Sequence, residues 1–153
     1  MNRVTPDVRI VSAAFAPEQE LARFAPADAG AVASFVGYCR SESNDGPVEK
    51  LVLQHYPGFT ETEIARMADE MRARHRLIDL LVVHRVGDIP AGEAIVLVAA
   101  ASTHRAEAFA AVSELMDVLK TDAPIWKQEV GPDGARWIEP TAHDRARRAE
   151  LER

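Results

Sequence analysis

Two lysines, Lys120 and Lys127, stand on either side of Pro124 in the stretch Leu119 to Glu129, L-K-T-D-A-P-I-W-K-Q-E. Two ammonium groups around a structural corner suit an anion site or amine chemistry. Each also has a plainer reading. A lysine at a helix C-terminus complements the helix dipole, which would account for Lys120. Lys127 follows Trp126, and on a strand neighbours point to opposite faces, so an inward Trp126 would send Lys127 to solvent or to a cleft. A second group, Ser102-Thr103-His104-Arg105, ends an apolar run and opens a helical one. Backbone N–H groups at such a junction attract anions. A His and an Arg in a first helical turn are poorly placed for the dipole, which favours acids there. The pair reads either as an anion site or as a surface His and a solvated Arg. Arg40 ends a strand pattern just before a polar loop. Cys39 beside it is either a thiol with a lowered pKa or a small core residue.

Other chemistries lack their patterns. The five histidines, His55, His75, His84, His104 and His143, show no H-x-x-x-H or H-E-x-x-H spacing, and the single cysteine rules out both an intrachain disulfide and a Cys-rich zinc motif. No G-x-G-x-x-G, P-loop or G-x-S-x-G occurs. A formal net charge of -6 argues against non-specific nucleic-acid binding, which needs basic surface. At 153 residues, 47% hydrophobic and 27% charged, the chain suits one soluble domain. That domain is expected over residues 1–140, with a charged tail over 141–153. Met1 to Asp7 lacks the apolar run of a signal peptide, and Ala94 to Ala101 is too short to span a bilayer. A cytoplasmic protein is the expectation.

The positioning elements follow from periodicity and turn residues. Strands are predicted over Val8–Ala14, Gly30–Arg40, Glu49–Tyr56, Ile78–Val86 and Glu93–Thr103, the last apolar enough to be central. Gly37 marks a bulge or a close backbone approach. A short helix is predicted over Pro17–Phe24, and Ala25–Gly30 is a loop. Ser41–Pro47 is a polar loop, a candidate lid or partner-contacting segment. Thr60 and Glu63 form a T-x-x-E capping box, opening a helix that buries Ile64, Met67, Ala68 and Met71. Gly87–Gly92 reads as a turn. Ser102 or Thr103 caps a helix that presents Phe109, Val112, Met116 and Leu119 on one face and stops close to Lys120, because Pro124 pushes Ala123 out of helical geometry. Ile125–Val130 and Ala135–Glu139 form a hairpin about Gly131–Gly134. Thr141–Arg153 is a terminal helix or a frayed tail. The order predicts an α+β fold, helices packed on a mostly antiparallel sheet. The helix between Arg105 and Lys120 is roughly 22 Å long at ~1.5 Å per residue. If His104, Arg105 and Lys120 serve one small-molecule site, two chains must meet there.

The segments G-A-V-A-S-F-V-G-Y-C-R (Gly30–Arg40), L-Q-H-Y-P-G-F-T (Leu53–Thr60), V-H-R-V-G-D-I-P-A-G-E (Val83–Glu93), A-S-T-H-R-A-E-A-F (Ala101–Phe109) and M-D-V-L-K-T-D-A-P-I-W-K-Q-E (Met116–Glu129) give the chain a family resemblance. It resembles the large, catalytic subunit of molybdopterin synthase, an enzyme of molybdenum-cofactor biosynthesis, over about Gly30 to Glu139. The resemblance implies an α/β-hammerhead fold and a homodimer at the centre of a heterotetramer. A small ubiquitin-like sulfur-carrier subunit would insert its thiocarboxylated Gly-Gly C-terminus into the pocket. The substrate would be cyclic pyranopterin monophosphate, converted to the dithiolene of molybdopterin by two sulfur transfers. Lys120 and Lys127 match the family's catalytic pair. Arg40, His104 and Arg105 match substrate-pocket residues, the last two from the dimer mate. Tyr38 and Cys39 flank the pocket by position, and Gln128 and Glu129 lie at its rim. No metal and no cofactor are implied for this step. Many members carry a basic residue near Thr141, and the nearest arginine here is Arg145. The competing readings are a non-catalytic module that binds a ubiquitin-like tail or a phosphorylated small molecule, and Schiff-base chemistry on a lysine.

Overall fold

The computed structural model describes residues 6–24 and 26–153. Met1–Thr5 of the N-terminal stretch and Ala25 of the first loop lie outside the described residues. In chain order the elements are β1 (Asp7–Val11), α1 (Pro17–Arg23), β2 (Ala31–Tyr38), β3 (Glu42–Ser43), β4 (Gly46–Pro47), β5 (Lys50–His55) and α2 (Phe59–Arg74). They continue with β6 (Asp79–Arg85), β7 (Gly87–Pro90), β8 (Ala94–Ser102), α3 (Arg105–Asp122), β9 (Ile125–Gly131), β10 (Gly134–Ile138) and α4 (Ala142–Glu150).

Two four-stranded sheets carry the fold, ordered β1-β6-β8-β2 and β10-β9-β5-β7. Every pairing in them is antiparallel except β1 with β6. The expected α+β architecture is therefore present, with the strands divided between two sheets. In the first, β6 and β8 are covered on both faces, which is why both read as continuous apolar runs. Leu80, Val82, Val98 and Ala100 face α2 and α3, against Ile64, Met67, Leu115 and Ala111. Leu81, Val83, Leu97 and Ala99 face the other way, toward Leu21 and Phe24 at α1. A smaller cluster of Cys39, Val48, Leu53, Val86 and Ile89 fills a second core.

Several local readings shift. The cap of α2 is formed two residues earlier than predicted: the Gly58 N–H donates to the Glu61 carboxylate at 2.7 Å, and Glu63 instead pairs with Arg66. Thr60 is freed to become a buried strut. Its hydroxyl accepts from the Tyr56 N–H at 2.9 Å and donates to the Pro124 carbonyl at 3.0 Å. The predicted turn Gly87–Gly92 contains strand β7, which pairs with β5, and the left-handed Gly87 (φ 83°) makes the change of direction. The α3 face is rotated from its predicted position. Phe109 is 66% exposed, and Ala108, Ala111, Leu115 and Val118 join Val112 and Leu119 in the buried stripe. Small alanines let the helix lie close on the sheet, so size outranks hydrophobicity there. His104, without a side-chain cap bond, is the N-cap of α3, and the Ser102 hydroxyl donates to its carbonyl.

Residues after Thr141 form helix α4, opened by a Thr141/Asp144 capping box. It is tied to α3 by Arg147–Asp117 and Arg148–Asp122 ion pairs of 3.0 and 2.9 Å. Ser41–Pro47, expected as a loop, is mostly a tight hairpin of β3 and β4. The bulge expected at Gly37 is present as a register shift between Gly37 and Tyr38. Among the described residues no helix is long and apolar enough to cross a membrane.

Candidate active site

The corner between α3 and β9 places the two lysines. Lys120 lies in the last turn of α3. Ala123 takes extended angles (φ -67°, ψ 130°) before Pro124, and the chain turns into β9. There Trp126 faces outward, 45% exposed, and meets Tyr56 edge to face at 5.1 Å. Strand alternation then sends Lys127 and Glu129 inward. This resolves the orientation left open by the sequence: Lys127 faces a cleft.

Two cavities share this corner. The larger, about 730 Å³, runs from the corner to the β3–β4 hairpin and the start of α4, with Arg40, Lys120, Lys127, Glu129, Asp144 and Arg145 among its walls. The smaller, about 370 Å³, lies between β2 and α3, with Phe35, Tyr38, His84, Met116, Lys120 and Lys127 on its walls. Tyr38, Arg40 and both lysines line both.

The electrostatics follow from burial. Lys127 is brought down to about 8, first by burial and then by the charge of Lys120, against the opposing pull of Asp144. Deprotonation of Lys127 is thereby brought toward neutrality. Burial works against ionisation of Asp144, but its hydrogen bonds from Thr141 and the charges of Lys120 and Lys127 outweigh it and hold the carboxyl below its usual range. Glu129 behaves alike: burial opposes its charge, and Ser43, Arg136 and Arg40 prevail. Its carboxylate accepts from the Ser43 hydroxyl at 2.5 Å and from Arg136, which fixes the β3–β4 hairpin against β9 and β10. His84 is pushed down to about 4, by burial first, against the bond to Arg85, with Lys127 and Lys120 adding to the effect.

The remaining predicted residues divide. Tyr38, Arg40 and Glu129 stand on the cavity walls. Cys39 does not: it is 2% exposed, packs in the second core, and burial pushes its thiol up. It is the small core residue of the two readings. Gln128 shares the outer face of β9 with Trp126, opposite Val52 and Trp137, and lines neither cavity. His104 and Arg105 are exposed at the far end of α3, outside both cavities of this chain. Arg145, considered as a replacement for a basic residue near Thr141, lines the larger cavity.

Ser43, Asp144 and His84 were not singled out for the site by sequence reasoning. Asp144 had a signal, the T-x-x-D spacing from Thr141, which predicts a helix start but not what it faces. His84 had one too, as a polar residue directly after the apolar run Leu80–Val83. Among the described residues no group of three or more His, Cys, Asp and Glu stands close enough to hold a metal ion.

Comparison with known proteins gives a consistent answer. The family model described as MoaE protein matches residues 10–122. A molybdopterin synthase catalytic subunit from Caulobacter vibrioides is 53% identical over 118 residues, 77% of each chain. The MoaE protein of Burkholderia ambifaria has a structure that superposes with a TM-score of 0.80 at 39% identity, covering 97% of this chain and 99% of that one. A chain from the Helicobacter pylori complex of subunits 1 and 2 of molybdopterin-converting factor shares the fold, with a TM-score of 0.72 at 21% identity, covering 85% of this chain and 88% of that one. The chain belongs to the MoaE family, the catalytic subunits of molybdopterin synthase.

Proposed function

We propose that this chain transfers sulfur from the C-terminal thiocarboxylate of a small ubiquitin-like carrier to cyclic pyranopterin monophosphate, forming the dithiolene of molybdopterin. The observation that carries this reading is the convergence of Lys120, Lys127 and Arg40 on the shared wall of two cavities. A thiocarboxylate and a phosphate both require cations, and a tail and a pterin require separate room. The thiocarboxylate sulfur bonds to a substrate carbon as a carbon–oxygen bond at that carbon breaks and its oxygen leaves, and water then cleaves the acyl–sulfur bond, so that the sulfur stays on the substrate and the carrier departs as a carboxylate. Lys120 holds the thiocarboxylate anion for attack and stabilises the oxyanion that develops on the tail when water adds to the acyl carbon. Lys127, with a pKa of about 8, gives or takes a proton near neutrality. Arg40 suits the phosphate as a bidentate donor. A second carrier delivers the second sulfur, and the cyclic phosphate opens in the course of the reaction.

His104 and Arg105 enter the site from a second chain in this reading. The free edge of β2 exposes Val32 and Phe35, and α3 exposes Phe109 one turn after His104 and Arg105. That apolar surface supports a two-fold homodimer with two equivalent sites, and a carrier at each makes the heterotetramer. The two-subunit complex from Helicobacter pylori supports the carrier as partner. The reading also places the enzyme in the cytoplasm.

The test is conversion of cyclic pyranopterin monophosphate by the purified chain with thiocarboxylated carrier. Absence of product from folded wild-type protein would overturn the reading. Unchanged turnover in Lys120→Ala and Lys127→Ala would overturn the residue assignment. The lowered pKa of Lys127 also favours amine chemistry, and a borohydride-trapped substrate adduct on Lys127 would establish the Schiff base instead.

A further inference from the structure

His84 is buried on the wall of the smaller cavity and has no task in the chemistry above. Strand alternation puts it on the same face of β6 as Leu80 and Val82, which pack against α2 and α3. Further along β6 the helical cover gives way to the cavity. Its Nδ1 lies 2.9 Å from the Arg85 carbonyl. A carbonyl only accepts, so Nδ1 carries the proton and Nε2 is a bare acceptor in the neutral ring. Nε2 has no hydrogen-bond partner among the described residues. The cavity it lines also holds the Tyr38 hydroxyl, the Arg40 guanidinium and the ammonium groups of Lys120 and Lys127, which as cations only donate, and apolar walls such as Phe35, Val96 and Leu119. The charges that reach His84 are those of Lys127, Lys120 and His55, and all of them disfavour its protonation.

We propose that His84 Nε2 accepts a hydrogen bond from an N–H of the bound reactant, next to the anionic group that Lys120 and Lys127 neutralise. The inference rests on the function proposed above and assigns a binding residue within that site. A carboxylate at this position would pair with the ammonium groups and compete with an anionic ligand. A neutral imidazole reads an N–H and leaves the cations free. Two reactants carry an N–H near an anion: the last peptide bond of a Gly-Gly thiocarboxylate tail, and the pterin of the phosphate-bearing substrate.

The experiment compares wild type, His84→Phe and His84→Gln. Phe keeps a planar ring without an acceptor, and Gln restores an acceptor oxygen. Three quantities are measured: the Kd of thiocarboxylated carrier, the Kd of a carrier whose final Gly–Gly amide is replaced by an ester, and the KM for cyclic pyranopterin monophosphate. A donor on the tail predicts that His84→Phe weakens the amide carrier about tenfold, the worth of one uncharged hydrogen bond. The ester carrier would then bind wild type and His84→Phe alike. A donor on the pterin predicts an unchanged carrier Kd and a KM raised about tenfold in His84→Phe. In either case His84→Gln recovers most of the loss. Should the Phe variant fail to fold, His84→Asn, whose amide reaches no further than Nδ1, takes its place with the same expectations. Values within twofold of wild type throughout would overturn the proposal. So would equal losses in the acceptor-free and Gln variants together with a lowered Tm, which would make His84 structural. A wild-type enzyme that makes no product would overturn the function reading instead.

Discussion

Lys127 stands where its charge costs stability, and the cost is measurable. Its pKa of about 8, against 10.5 for a lysine free in water, corresponds to about 3 kcal/mol against the charged form in the folded protein. The sign runs as linkage requires. Between pH 8 and 10.5 the unfolded chain holds the proton and the folded chain does not, so this group's contribution to stability rises with pH across that window. Below pH 8 both states are protonated and the full penalty applies. Lys127→Met keeps the length and most of the volume of the side chain and removes the charge. Urea unfolding at pH 7 should show the variant more stable by about 1–3 kcal/mol, the upper end set by the shift. At pH 10 the difference should shrink toward zero. Turnover by the same variant should fall by at least a hundredfold, on the order of losing one group that stabilises charge or moves a proton. A variant no more stable than wild type at pH 7, or a stability difference independent of pH, would refute the claim that Lys127 is held in the cleft against its own solvation.

Three further outcomes follow from the framework around the lysines. Glu129→Gln should loosen the β3–β4 hairpin, seen as faster amide exchange at Ser43 and Gly46, because the carboxylate that binds Ser43 and Arg136 becomes a neutral amide. With its pKa lowered, Glu129 contributes stability that is full above the ordinary carboxylate range and fades as the pH falls through its folded pKa, so the variant should show a shallower acid destabilisation in the same urea assay. Thr60→Val removes both hydrogen bonds of the hydroxyl, the one accepted from the Tyr56 N–H and the one donated to the Pro124 carbonyl, and should lower stability by about 1–3 kcal/mol in chemical unfolding. Cys39→Ser should keep wild-type turnover with thiocarboxylated carrier, since the thiol packs in the core away from both cavities, while losing about 1–3 kcal/mol by placing a hydroxyl among apolar groups.

What the sequence made legible was local. Turn residues and period-2 or period-3.6 patterns located the long strands and helices, and the Pro124 corner followed from the restriction on Ala123. Contacts between distant segments were not legible. The hydrogen bond from Thr60 to Pro124 links residues 64 apart, and without that knowledge Thr60 reads as a helix cap. Strand β7 has no apolar run because it pairs at a sheet edge with β5. The α3 face was displaced for a related reason. Hydropathy favours Phe109 over Ala108, but a helix lying close on a sheet selects the smaller side chain, and the sequence does not state the separation.

The candidate site divides along the same line. Residues on one corner, Lys120 and Lys127, could be paired from sequence because a few residues and one proline fix their relation. Alternation alone could not say which of Trp126 and Lys127 faces in; the pairing of Trp126 with Tyr56 across the outer surface decides it. Gln128 was placed at the rim by proximity in sequence, and the same alternation removes it. His104 and Arg105 raise a different problem. One straight helix holds them about 22 Å from Lys120, and the structure leaves them exposed outside both cavities. No rearrangement of a single α3 joins its two ends at one small anion. For His104 and Arg105 to act on the substrate, the site must be built from the C-terminal end of α3 in one chain and the N-terminal end in another. It follows that Arg105→Ala and Lys120→Ala chains, each inactive alone, should regain up to about a quarter of wild-type turnover when mixed and allowed to exchange subunits, because half the dimers are then hybrids and each hybrid holds one intact site. Failure to recover turnover after verified exchange would place all the chemistry within one chain and leave His104 and Arg105 as surface residues.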